Sequence, residues 1–132
     1  MKNVFVFSSF IILSLAFSAC NKVEGPGGSS VIKGKIFIEV KDGAGNIINS
    51  YYAPKEDVFI VYGGGDTNYF DDKIETTHTG LFEFRYLEKG TYTIFAYSDC
   101  NTCPSGKEIV SVDVEIKEKG QVVDLDDIII TD

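Results

Sequence analysis

This 132-residue chain has no tryptophan, one histidine (His78), one arginine (Arg85) and three cysteines. Each shortage excludes something. Without indoles a common sugar-stacking platform is missing, although the seven tyrosines offer rings that can take that part. His78 sits between Thr77 and Thr79 in a turn-like stretch with no nucleophile motif, so it gives no Ser-His-Asp pattern and reads as an exposed turn residue. One arginine, no lysine cluster and a net charge of −8 leave nothing to hold a phosphate backbone, so no nucleic-acid partner is expected. Zinc needs four ligands, and no second Cys or His pair accompanies Cys100 and Cys103. Helical periodicity is missing too: beyond the leader, no window places apolar residues at i, i+3, i+4 and i+7 behind a good cap.

What is present begins with the leader, MKNVFVFSSFIILSLAFSAC. Lys2 is the positive n-region, Val4 to Phe17 is an almost unbroken apolar run, and the small residues Ser18 and Ala19 follow, which is the layout of an export signal. The run is shorter than the roughly 20 apolar residues of a membrane span, and no later segment approaches that length. The ending Phe17-Ser18-Ala19-Cys20 resembles the lipobox of bacterial lipoproteins, in the loose form found in the Bacteroides group, with Phe17 where Leu is usual. The resemblance implies removal of residues 1–19, acylation of Cys20 and attachment to the membrane of the cell envelope through three acyl chains. Each buried methylene contributes about 0.8 kcal/mol, so several chains hold durably where one holds marginally.

Asn21 is not the Asp of the enteric inner-membrane retention signal, which points to the outer membrane. Lys22 and Glu24 partly match the surface-export signal of Bacteroides-type lipoproteins and Val23 interrupts it, so the periplasmic and surface faces both stay open. Asn21 to Ser30, rich in Gly, Ser and Pro, reads as a flexible tether reaching at most about 35 Å. The expected organisation is a signal over 1–19, the lipidated cysteine and tether over 20–30, and one domain over 31–132.

That domain is expected to be all-β. Short runs rich in β-branched and aromatic residues alternate with Gly, Asn and Asp. VIKGKIFIEV places Ile36, Ile38 and Val40 on one face. EDVFIVY is apolar on both faces, as in a central strand. NYFDDKIETT is polar and suits an edge. LFEFRYL alternates through Phe82 and Phe84, and GTYTIFAYS points Tyr92, Ile94 and Ala96 one way with Phe95 and Tyr97 opposite. IVSVDVEIK turns Val110, Val112, Val114 and Ile116 inward, and QVVDLDDIII does so with Val123 and Leu125 before an irregular step at Asp126-Asp127. About seven strands at regular spacing give a sandwich or barrel.

One stretch is more specific. Thr76 to Ser98 carries a turn glycine (Gly80), an aromatic-alternating strand (Phe82, Phe84), Leu87, and Gly90-Thr91-Tyr92 opening the next strand. It resembles the core of carboxypeptidase regulatory-like and transthyretin-like domains, which implies an Ig-like, transthyretin-like sandwich with Leu87 between the sheets and Tyr92 buried with a partnered hydroxyl. Those domains usually carry Asp before the turn glycine, where this chain has TTHTG.

Candidate sites are few. Exported chains tend to oxidise their thiols, so Cys100 and Cys103 are expected as a disulfide closing their own loop, contributing roughly 2 kcal/mol. A redox pair is the alternative, but Pro104-Ser105-Gly106 leads into a strand rather than a helix N-terminus, and Asp99 raises a thiol pKa. A metal shared between molecules is a further alternative. Asp66, Asp71 and Asp72 offer oxygen ligands for calcium but lack EF-hand spacing, and read first as solvated charges protecting an edge strand. Gly63-Gly64-Gly65 lacks the Lys and helix of a phosphate loop.

No catalytic, cofactor-binding or metal-binding residue is assigned. The expected function is a non-enzymatic binding or accessory module of the envelope, contacting a protein or a glycan through its loops. The alternatives are a glycan-binding component of an outer-membrane nutrient-uptake system, which Tyr51, Tyr52, Tyr62 or Tyr69 gathered on one face would favour, and an envelope thiol or metal protein using Cys100 and Cys103.

Overall fold

A computed structural model describes residues 23–132. The signal, the lipid-attachment residue Cys20 and residues 21 and 22 lie outside the described residues.

Every regular element is a strand: β1 (Pro26–Lys41), β2 (Ile47–Tyr52), β3 (Asp57–Tyr62), β4 (Asp72–Glu75), β5 (Leu81–Leu87), β6 (Gly90–Asp99), β7 (Lys107–Ile116), β8 (Val122–Asp124) and β9 (Ile128–Thr131). They form two sheets. In the first, β1 is the spine: β5 and then β2 pair antiparallel along it, while β8 and β9 pair parallel with it at Val31–Lys33 and Ile36–Glu39. The second is antiparallel, in the order β4-β3-β6-β7.

The core between the sheets follows from period-two alternation. Ile32, Ile36 and Ile38 of β1, Phe82 and Phe84 of β5, and Ile128 and Ile130 of β9 face Val58 and Ile60 of β3, Tyr92, Ile94 and Ala96 of β6, and Val114 and Ile116 of β7. Leu87 joins them. The architecture is the expected all-β sandwich.

Among the described residues nine strands form where about seven were expected. β2 was not legible because all six of its residues are exposed, so it carries no alternation. The terminal run is two strands, since the backbone breaks at Leu125–Asp127 before continuing beside β1.

The tether also needs correction. Residues 26–30 are the start of β1, and Gly25 is already tied down: its carbonyl accepts from Glu88 N at 2.9 Å and its N–H donates to Tyr92 Oη at 3.0 Å. The glycines that suggested flexibility serve close packing. A side chain at Gly28 would collide with the Leu87 carbonyl.

Candidate functional site

Strands β3 and β6 are apolar on both faces, so the second sheet has an outer apolar face as well as an inner one. Register sets its rows. Lys73, Phe59, Phe95 and Ser111 stand side by side across the sheet; Val61, Thr93 and Asp113 form the next row; Tyr97 is opposite Ile109 and Thr91 is opposite Glu115.

The 63–71 loop folds back over this face. Gly65 N donates to Thr93 Oγ1 at 2.9 Å, Thr91 Oγ1 donates to the Gly63 carbonyl at 2.9 Å, and Asp71 closes the loop by donating to the Ile60 carbonyl at 2.9 Å and accepting from Tyr62 N at 2.7 Å. Phe70 then stands over Phe59, with ring centroids 4.9 Å apart. Val61 and Phe95 are thereby fully buried on a face that would otherwise meet water.

Two open areas flank the loop. At one end lies an aromatic shelf. Phe59 stacks on Phe95 at 5.0 Å, and Tyr97 meets both edge-on at 5.4 and 5.9 Å. Tyr97 keeps 42% of its surface exposed and Phe70 keeps 50%. A hollow beside Tyr97 is bordered by Ser105, Lys107, Glu108 and Ile109. The Lys107 ammonium is bonded to Asp99, which raises its pKa and keeps it charged.

At the other end is a cleft of about 390 Å³, lined by Gly63, Gly64, Gly65, Thr91, Tyr92, Asp113, Val114 and Glu115. Asp113 accepts from Thr93 Oγ1 at 2.6 Å, which leaves its second oxygen for another donor. The three glycines bring backbone rather than side chains to the cleft rim.

The residues singled out in the sequence fall elsewhere. Tyr52 lies on the outer face of the first sheet, edge-on to Phe37 at 5.2 Å, with Lys35 over its ring and its hydroxyl bonded to Asp127 at 2.9 Å. Tyr51 is its exposed neighbour on β2. Tyr62 packs against the core beside Tyr92, and burial followed by Asp72 raises its pKa. Only Tyr69 belongs to the loop over the aromatic face. The four tyrosines therefore do not gather on one face. His78 is exposed in the turn between β4 and β5.

The carboxylates proposed for calcium are engaged locally: Asp66 accepts from Asn68 N at 2.9 Å, Asp72 from Lys73 N at 2.8 Å, and Asp71 holds the loop as above. Cys100 and Cys103 are bonded to each other, with Cα atoms 5.3 Å apart, in a loop whose backbone makes three further bonds among Cys100, Cys103 and Gly106. Among the described residues one group has metal-ligand proximity, Cys100, Cys103 and Glu108, and its two sulfurs are spent on that bond. The loop borders the shelf, since Ser105, Lys107 and Glu108 line the hollow.

Sequence reading missed Phe59, Phe70, Phe95, Tyr97 and Ile109 as a group. The signal was present: a strand apolar on both faces, beside a strand carrying Phe95 and Tyr97 away from the core.

No protein-family model matches the chain, and no curated protein matches it in sequence. Among solved structures it is similar to the crystal structure of a proposed carbohydrate-binding protein from Pseudomonas aeruginosa, with a TM-score of 0.52 and 14% identity, over 83% of this chain and 92% of that one. At that identity the likeness is one of fold.

Proposed function

We propose that this chain is a non-enzymatic glycan-binding module of the cell envelope, built on a carboxypeptidase regulatory-like or transthyretin-like sandwich and anchored by an acylated Cys20. The observation that carries the binding reading is the outer face of the second sheet. Tyr97 and Phe70 hold rings open to solvent, and Ser105, Lys107 and Glu108 border the hollow beside Tyr97. A saccharide needs both: an aromatic ring for the apolar C–H face of a pyranose, and polar side chains for its hydroxyls. The fold shared with the Pseudomonas protein is compatible with this reading.

The test is a glycan array followed by calorimetry on the hits. Saturable binding is expected, weakened about tenfold by Tyr97→Ala, which corresponds to about 1.4 kcal/mol of lost stacking. An array without hits, or hits that Tyr97→Ala leaves unchanged, would sink the proposal.

A further inference from the structure

Glycan binding leaves the sulfurs of Cys100 and Cys103 without a part in it. They sit at the tip of the β6–β7 hairpin, which Asp99 and Lys107 close as the last pair of the ladder. The backbone of the tip is fixed without the sulfurs. Cys100 N donates to the Gly106 carbonyl at 2.9 Å, Cys103 N to the Cys100 carbonyl at 3.1 Å, and Gly106 N to the Cys103 carbonyl at 3.0 Å. The returning strand then carries Glu108 past the tip, opposite Ser98. A carboxylate oxygen of Glu108 and the two Sγ atoms all lie within 4.8 Å of one another, and no other such set occurs among the described residues.

In the oxidised loop the two sulfurs hold each other. That bond closes a span of only three residues, so loop-closure entropy favours it little. Asn101 and Thr102 between the cysteines are exposed, and the cysteines themselves are half-buried, so a thiolate can reach the bond for exchange. A dithiol is the reductant. Two hydrogens pass from it to the Sγ atoms of Cys100 and Cys103, and it closes to its own disulfide.

We infer that the reduced loop is a zinc site within one chain, with Cys100 and Cys103 as thiolate ligands, Glu108 as the third ligand and water in the fourth position. Zinc replaces the two thiol protons, which leave to solvent. On a tetrahedral zinc, with Zn–S about 2.3 Å and Zn–O about 2.1 Å, the sulfurs stand about 3.8 Å apart and each is about 3.6 Å from the oxygen. The sulfurs part once their bond is cut, and the carboxylate closes in from its present position within 4.8 Å. Side-chain rotation supplies these shifts while the three backbone bonds hold the tip. Thr102 Oγ1, 3.6 Å from Cys100 Sγ, supplies a hydroxyl that can donate to the thiolate and orient it. Two soft thiolates with one carboxylate suit zinc rather than calcium or magnesium, which take oxygen ligands.

The test is a Co²⁺ titration of the full chain in detergent micelles, before and after reduction by a dithiol and anaerobic desalting, with Zn²⁺ then displacing the cobalt. The oxidised chain is expected to bind neither ion. The reduced chain is expected to show the thiolate-to-cobalt charge-transfer band and the visible bands of a tetrahedral site, which Zn²⁺ bleaches. Glu108→Gln is expected to weaken binding at least about tenfold, since even an outer-shell partner is worth that much. Glu75→Gln, at an exposed carboxylate on β4, leaves it unchanged. Cys100→Ser keeps every other thiol of the chain and is expected to lose the site. Circular dichroism follows the fold of each variant and of the reduced chain. A reduced chain that binds no cobalt, or that unfolds, overturns the inference. So does a site that survives Cys100→Ser or Glu108→Gln, or one that Glu75→Gln weakens equally. Glycan binding is read on the oxidised chain through Tyr97→Ala, so either proposal can fail alone.

Discussion

Replacing Tyr92 by Phe removes one oxygen atom from the sandwich and tests how its N-terminal segment is held. The ring has no exposed surface. Its hydroxyl donates to the Glu88 carbonyl at 2.8 Å and accepts from Gly25 N at 3.0 Å. Packing is unchanged in the variant, so the loss is polar. A buried N–H left without an acceptor costs about 1–3 kcal/mol, and the lost bond to Glu88 adds about 1 kcal/mol, giving roughly 3 kcal/mol. For a domain of this size that corresponds to a fall in Tm of about 12–20 °C. Urea unfolding followed by circular dichroism measures it, and hydrogen exchange at Gly25 and Glu88 locates it. A loss below about 0.5 kcal/mol with unchanged exchange would refute the view that Tyr92 pins the segment. The same phenol gives a pH signature. Burial raises its pKa, so the folded chain holds the proton where the unfolded chain releases it. Its contribution is complete below the ordinary tyrosine value of 10.0 and is lost as pH climbs from there through the folded value. Tyr92→Phe should show a shallower alkaline decline.

Other expectations are shorter. Cys100→Ser with Cys103→Ser should cost about 2 kcal/mol by loop-closure entropy in thermal unfolding, and should weaken ligand binding by loosening the loop beside Tyr97. Gly80→Ala should cost at least about 2 kcal/mol, because φ is +77° and a Cβ would lie 2.9 Å from both the Ile36 carbonyl and Tyr52 Cβ; denaturant melts check this. Glu56→Gln should stabilise the protein at pH 7. Burial first, then Asp57, raises the Glu56 pKa, so ionising it opposes folding as pH rises through the folded value; the gap between variant and wild type should close below the ordinary value of 4.5.

What the sequence revealed divides along physical lines. Alternation exposes the strands that have one wet face and one dry face, which is why β5, β6 and β7 were read with their inward residues correct. It is silent where a strand is wet on both faces, as β2 is, and it misleads where glycines permit close packing, as in residues 25–30. The aromatic face was half legible. A strand apolar on both sides says that something covers its second side, but only the tertiary structure shows that the 63–71 loop covers Phe95 and Val61 and stops short of Tyr97. The clustered tyrosines failed as a pointer because Tyr51 and Tyr52 follow β2 onto the opposite sheet. Nothing in their spacing relative to Tyr69 could reveal that.

The pinned segment also shortens the proposed anchor and orients the domain. Gly25 is tied to the sandwich, so only four residues lie between it and Cys20, five steps that span at most about 18 Å when extended. Gly25 lies against Tyr62 and Tyr92, beside the Glu88–Gly90 turn and at the Thr91 end of β6. Tyr97 lies six residues further along that strand, about 20 Å away. On the lipid-anchor proposal the cleft at Gly63–Gly65 therefore faces the bilayer and the aromatic shelf points outward, where a polymer too large to reach the membrane surface can still meet it. A fluorophore at Lys89 should be quenched by lipid-borne quencher more strongly than one at Glu108. Equal quenching would mean that the domain tumbles freely about its anchor, and the short leash would have no orienting effect.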